Sequence, residues 1–482
     1  MKPFNTPSSK RRWRALALVA LLAASPAPAQ DGPYGLDQRV PNTALLIDLE
    51  QGPPPETISA SGAFSDPASQ TPAPGLIPYG VNSELWSDGA YKTRYLALPG
   101  TERIEFSPDG AWVFPANTVL VKNFYLELVK GDTSSRQIIE TRFLVKKGAS
   151  DEWAGFSYQW NDDASDAVLL DDSETLSVFV EDADAPDGFT EQRYPFPGPE
   201  DCSLCHREAA GRVLGPRTAQ LNGDFDYGDG RVDNQLRALN HIGVFSTDLA
   251  ETVGGDYGSL PRWENPLDTD APLEARVRSY LASNCAHCHR PNGVDRADID
   301  LRYGIPLAET NTVDRPPMLG QLDAPQARIV TPGDADNSTL LLRLLTFDSN
   351  RMPPVASTII DPEGTALLRQ WLEGLDVATH VEAIDDSATP AGFWLSPNWP
   401  NPFNPNTAIE YRLESAARVH LAIYNTVGRR VRTLAKGARA PGLHTVEWDG
   451  RDDSGAAVAS GTYIYRLRAG ARSTARRLTL IK

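Results

Sequence analysis

The sequence has little of the residues that do redox and metal chemistry. Its 482 residues include four cysteines, three methionines and seven histidines. All four cysteines fall in two pentapeptides, CSLCH at 202–206 and CAHCH at 285–289. Long hydrophobic runs are also missing. Beyond Ala24 no segment is long and apolar enough to cross a bilayer. Positive charge is scarce in the body of the chain. The total is −17; residues 1–29 hold +5 and residues 392–482 hold +8, which leaves −30 for residues 30–391. Such a body repels nucleic acid, and it either favours basic partners or serves solubility alone. A hydrophobic content of 41% nevertheless excludes a disordered chain.

Length and patterning predict a multidomain α+β chain. Residues 1–29 read as a secretory signal: a basic run Lys10-Arg11-Arg12-Trp13-Arg14, an apolar stretch Ala15 to Ala24, and Ala27-Pro28-Ala29 for cleavage. Residues 30–75 are rich in Pro, Ser, Ala and Gly and read as an extended leader with little core of its own. Short apolar runs at Trp112–Phe114, Val119–Val121, Phe124–Leu126, Ile138-Ile139 and Phe143–Val145 predict a β-rich, sandwich-like domain over 76–198. A first cysteine region follows at 199–269. The segment 270–376 is helical where regular, with apolar stripes over Pro272 to Leu281 and over Pro362 to Leu375. A polar linker at 377–391 leads to a second β domain at 392–482. There Val419, Leu421, Ile423 and Tyr463, Tyr465, Leu467 alternate as half-buried strands do.

The spacing of the cysteines narrows their chemistry. A disulfide between residues i and i+3 closes a tiny loop and removes little unfolded-state entropy. Zinc would need both pairs folded onto one ion. A thioredoxin-type dithiol needs no histidine after it. None of these accounts for a histidine in the next position both times. Covalent haem does: C-x-x-C-H places two thiols on one side of a turn for the vinyl groups and aims the next histidine at the iron. Two covalently bound haem c groups are therefore expected, one on Cys202, Cys205 and His206, the other on Cys285, Cys288 and His289. His287 is expected to be a spacer.

The distal ligands are less legible. Met352, in Arg351-Met352-Pro353-Pro354 before the last helix, is the candidate on the second iron; the alternative is a core methionine. Met318, also beside prolines, lacks the following helix. For the first iron, His241 is the one nearby histidine. It lies off the apolar stripe of Leu236, Leu239 and Ile242, so a surface histidine at a helix end is the competing reading. A ligand from elsewhere, or a five-coordinate iron, is also open.

The order helix, CAHCH, Met352, closing helix resembles a class I cytochrome c domain. More broadly, residues 76–376 resemble exported dihaem c-type cytochromes, through PYGVNSELWSDGA (78–90), FPANTVLVK (114–122), Glu140-Thr141-Arg142, YQWNDD (158–163), CSLCH, Leu214-Gly215-Pro216, Asn234-Gln235-Leu236, CAHCH and Met352-Pro353-Pro354. Similar regions occur fused to pyrroloquinoline-quinone (PQQ) sugar dehydrogenases. The resemblance implies electron acceptance from an exported dehydrogenase, although the chain shows no dehydrogenase domain itself. The last ninety residues or so resemble the Ig-like domain of flagellar hook-capping proteins, also found as a type IX secretion sorting domain, through NWPNPFNP (398–405), VEWDG (446–450), SGTYIY (460–465) and the basic tail 476–482. The implied role is secretion or attachment at the cell surface; a passive spacer is the alternative.

The function expected is thus electron transfer by a dihaem cytochrome that is periplasmic, cell-surface or extracellular. Its partner would be a redox protein such as a PQQ dehydrogenase or another cytochrome. An enzyme resembling dihaem peroxidases, with the first haem open, is the alternative. A third reading makes the β domain a carbohydrate binder through Trp86, Trp112, Trp153 or Trp160, residues that serve more often as core.

Overall fold

The computed structural model describes residues 33–376, apart from 295–297, 318–321, 323, 325–326 and 356, together with most of 394–480. Residues 1–29, expected as a signal, Met318 and the expected linker 377–391 lie outside the described residues.

A six-stranded antiparallel sheet organises the body. Its strands run in chain order: Ile77–Pro78, Tyr91–Ala97, Val119–Glu127, Arg136–Lys146, Trp153–Trp160 and Ala167–Leu169. The separate apolar runs expected at 119–121 and 124–126 are one strand, and so are those at 138–139 and 143–145. Trp112–Phe114 is not a strand; it contributes an isolated bridge from Val113 to Glu105. The central strands are apolar on both sides because both faces of the sheet are covered. One face carries Val119, Val121, Val145 and Tyr158, packed against Leu45, Ile47, Ile58 and Phe64. The segment expected as an extended leader therefore has little regular structure but supplies a wall of the sheet's core. On the other face, Leu96 and Leu120 pack with Trp112, Phe114, Leu236 and Leu239. Further along that face the hairpin Glu174–Glu181/Phe189–Phe196 sets Val178, Tyr194 and Phe196 on Phe124, Leu126 and Ile139.

Three helices form the next unit: Leu273–Asn284, Thr339–Leu345 and Pro362–Gly374. Val277, Leu281, Leu341, Leu368, Trp371 and Leu372 make its core. The first and third helices meet at Gly364, where any Cβ would collide with the Tyr280 ring. Beside this crossing the Tyr280 hydroxyl donates to Asp361 Oδ2 at 2.9 Å. Gly364→Val is expected to lower stability by about 2 kcal/mol, the usual penalty of overpacking. A fall in the urea midpoint at unchanged m-value would register it.

The C-terminal module is a sandwich of a three-stranded sheet (Trp394–Leu395, Thr407–Leu413, Gly442–Trp448) and a four-stranded one (Arg430–Arg439, Ala417–Asn425, Gly461–Ala469, Arg472–Leu480). Leu421 stands opposite Leu467 and Ile423 opposite Tyr465, and all four are fully buried. The alternation read from the sequence marks the inner face of this sheet.

Candidate functional site

The two pentapeptides adopt the same turn. The first ends the helix Pro199–Cys205, and His206 N–H donates to Cys202 O at 3.0 Å. The second follows the helix Leu273–Asn284, and His289 N–H donates to Cys285 O at 2.9 Å. In each, both thiols and the histidine share one turn, as attachment to a flat macrocycle requires. Small residues let the turns settle. A Cβ on Gly155 would stand 2.5 Å from Cys202 Sγ, so only glycine there admits the CSLCH helix to the sheet. At Gly293 a Cβ would strike Cys288 O.

The turns face each other although 83 residues separate Cys202 from Cys285. Cys288 Sγ donates to Leu204 O at 3.7 Å, and Arg207 Nη1 donates to Gly293 O at 3.3 Å. Cys205 Sγ, Cys288 Sγ and a ring nitrogen of His287 lie within 4.8 Å of one another. The hydrogen bond between Cys205 and Cys288 keeps the first thiol protonated and lowers the second. Burial raises Cys202, and pushes Cys285 up to about 12.

His206 is oriented as a ligand. Its Nδ1–H donates to Arg212 O at 2.6 Å, which leaves Nε2 with a free lone pair. That backbone contact is the usual device for fixing the tautomer of a metal-bound imidazole. Burial, then the nearby cationic groups, lower its pKa to about 4, so the ring is neutral at ordinary pH. His206 and Cys202 line a cavity of about 480 Å³, within the range of small-molecule and cofactor sites. The sheet forms one wall, with Leu120, Leu144 and Gly155; Pro216, Trp263 and Ala286 contribute elsewhere. The residues present fit a haem at this position: a paired thiol turn, an oriented imidazole and a cavity whose walls join apolar side chains to cations.

His241 is placed elsewhere. It ends the helix Gln235–His241, is exposed, and stacks on Tyr34 with ring centroids 3.5 Å apart. It is not among the residues lining the cavity. The expectation of an iron ligand at 241 is corrected by this placement; the surface reading describes it. His287, expected as a spacer, is 8% exposed, lines the cavity with His206, and has a buried Nδ1 without a partner. Sequence spacing hid it because it lies inside the other motif.

Met352 sits in a loop fastened to the helix Thr339–Leu345. Its N–H donates to Arg343 O at 2.9 Å, and the Arg343 side chain is close enough to depress His289, a ring lowered first by burial. Arg351 pins the loop through Thr346 O at 2.8 Å and Ser357 O at 2.9 Å. The segment 78–90 ties both parts to the sheet. Ser83 Oγ donates to Ser279 O at 3.0 Å, and Trp86 N–H donates to Asn284 Oδ1 at 2.7 Å, one residue before Cys285. The buried Asp88 accepts from Thr358 N–H at 2.8 Å and Ile359 N–H at 3.1 Å. Asn284 and Asp88 were not singled out by sequence reasoning, since nothing local marks a residue whose partner is distant in the chain. Of the tryptophans, Trp112 and Trp160 are core residues with bonded indoles, donating to Thr218 Oγ1 and Thr141 Oγ1. Trp153 packs edge-on against Phe114.

The C-terminal sandwich can be placed in a family. Residues 404–473 match the FlgD Ig-like domain. In this FlgD-type domain the acidic residues 449, 452 and 453 serve turns and ion pairs: Asp452 Oδ1 accepts from Ser454 N–H, and Asp449 pairs with Arg432. Solved structures with similar stretches include dimeric latent PorU from Porphyromonas gingivalis, at 20% identity over 19% of this chain and 10% of that one, TM-score 0.17. FlgD from P. aeruginosa matches at 24% identity over 15% of this chain and 58% of that one, TM-score 0.13. PorZ, described as an essential surface component of the type-IX secretion system of P. gingivalis, matches at 22% over 20% and 13%, TM-score 0.15. The chain thus spans less than two thirds of each. No curated protein matches the chain. Among the described residues no helix is long and apolar enough to cross a membrane.

Proposed function

We propose that the chain is a dihaem c-type cytochrome that carries electrons outside the cytoplasm. The observation that supports this most is the meeting of the two C-x-x-C-H turns, with Cys205 and Cys288 in contact. Two groups anchored there would be neighbours, which suits electron passage between them. Cys202, Cys205 and His206 would hold one, and Cys285, Cys288 and His289 the other. Each iron, when bound, supplies a one-electron couple. The protein's own part is to fix the imidazoles, exclude water and set the local charge. His287 and Met352 would be the further side chains available to hold the first and the second group. The peroxidase-like alternative would need the first group to stay open, and so would require that His287 does not bind it. The acidic body would steer a basic redox partner, such as an exported dehydrogenase or another cytochrome. The FlgD-type domain would serve secretion or surface attachment.

One observation favours a second reading. Cys205, His287 and Cys288 are a soft donor set that suits zinc in a chain without haem. Sulfurs bonded to haem cannot also hold that ion, so a single assay separates the two. The pyridine haemochrome of protein made in a haem c-competent host should give two haems per chain. Cys202→Ala/Cys205→Ala should give one. A chain with no haem and one equivalent of zinc would replace the cytochrome reading with the metal site.

A further inference from the structure

The cavity beside His206 is strongly basic although the body around it carries −30. Arg94, Lys122, Arg142, Arg217, Arg290 and Arg302 line it, against the single acid Asp109. Three of these cations form a row across the sheet. Arg94 stands directly opposite Lys122, and Lys122 directly opposite Arg142. Like charges at facing positions of neighbouring strands repel, and the repulsion grows where water is thin. The two outer members have counter-ions. Arg94 Nη1 meets Glu84 Oε1 at 3.0 Å. Arg142 grips Glu140 with two bonds of 2.7 and 2.8 Å. Lys122, between them, makes no direct ion pair among the described residues: Glu84, spent on Lys92 and Arg94, offsets it only at longer range, and the Phe124 ring lies 4.9 Å from Nζ. Burial, followed by the neighbouring Arg94, Lys92 and Arg142, presses its ammonium well below the ordinary range. A partly buried lysine in that position is an anion site waiting for its anion.

We infer that Lys122, flanked by Arg94 and Arg142, is a carboxylate-binding site that takes the propionate groups of the haem anchored at Cys202, Cys205 and His206. The inference rests on the dihaem reading for that anchor. A haem has two carboxylates on one edge, and this cavity offers a cation without a direct ion pair in the wall near His206. The chemistry would be charge-assisted hydrogen bonding in a site of low dielectric. The positive charge would also favour the ferrous over the ferric state, so it would raise the first haem's potential.

The test is a redox titration of the full-length holoprotein, followed optically, with haem content measured on the same samples. Lys122→Met should keep two haems and move one of the two reduction waves to lower potential, by about tenfold in the equilibrium constant, ~59 mV for a one-electron couple. Lys122→Arg should leave both waves in place. If Lys122→Met is not recovered folded, Lys122→Gln gives the same comparison with a polar head retained. Two haems with both waves unmoved in the uncharged variant would overturn the inference and leave the dihaem reading intact. An equal shift in Lys122→Arg would overturn it too, since position and not charge would then matter. A wild-type chain lacking haem at CSLCH would overturn both.

Discussion

His287→Ala should turn one of the two haems from low-spin to high-spin while the chain still carries both. The reason is where the side chain lies. His287 and His289 are two residues apart on one turn, but only His287 is among the residues lining the cavity that also holds His206 and Cys202. It is more than nine-tenths buried, and among the described residues its Nδ1, like that of His289, has no partner. A buried, unsatisfied ring nitrogen is uncomfortable without a ligand to bind. If His287 completes the first iron, its loss leaves that iron with five ligands, and about half of the ferric spin should become high-spin in EPR. Peroxide should then react with the variant and not with the wild type. His241→Ala, at the exposed position stacked on Tyr34, should leave the spectrum alone. An unaltered low-spin spectrum in His287→Ala would remove His287 from the coordination sphere. A wild-type protein already half high-spin would restore the open-haem, peroxidase-like reading.

The contrast between these two histidines shows what was legible in the sequence. The turns were legible, because C-x-x-C-H is a local signal and its hydrogen bonds close within five residues. The helices Leu273–Asn284 and Pro362–Gly374 were legible from their apolar stripes, and the C-terminal strands from alternation. Distal ligation is not local. His241 attracted attention by being near CSLCH in the chain, whereas His287, 81 residues beyond His206, is brought to the cavity by the fold. The cationic row failed to show for the same reason. Arg94, Lys122 and Arg142 sit in three strands, and only the register reveals that they stand abreast. The segment 33–75 was misjudged in a different way. Its prolines and glycines suppress most regular structure, yet Leu45 and Ile47 are buried without it.

Glu140→Gln should be the most destabilising conservative change on this face of the sheet, at about 3–5 kcal/mol, the penalty for breaking a buried ion pair from one side. Glu140 is fully buried and all its bonds are charge-assisted or to a buried hydroxyl. It takes both Arg142 contacts, and the Tyr194 hydroxyl donates to Oε2 at 2.8 Å. An amide keeps the shape, but one end becomes a donor facing donors, and the Arg142 charge loses its counter-ion. The row then holds Lys122 and Arg142 abreast with no described carboxylate of the chain in direct contact with either. Lys122→Met introduced into Glu140→Gln should therefore recover about 1 kcal/mol or more, a coupling expected of residues that share one charge network. The measurement is a double-mutant cycle in urea on holoprotein of fixed haem content. Strict additivity would mean that Lys122 and Arg142 do not feel each other.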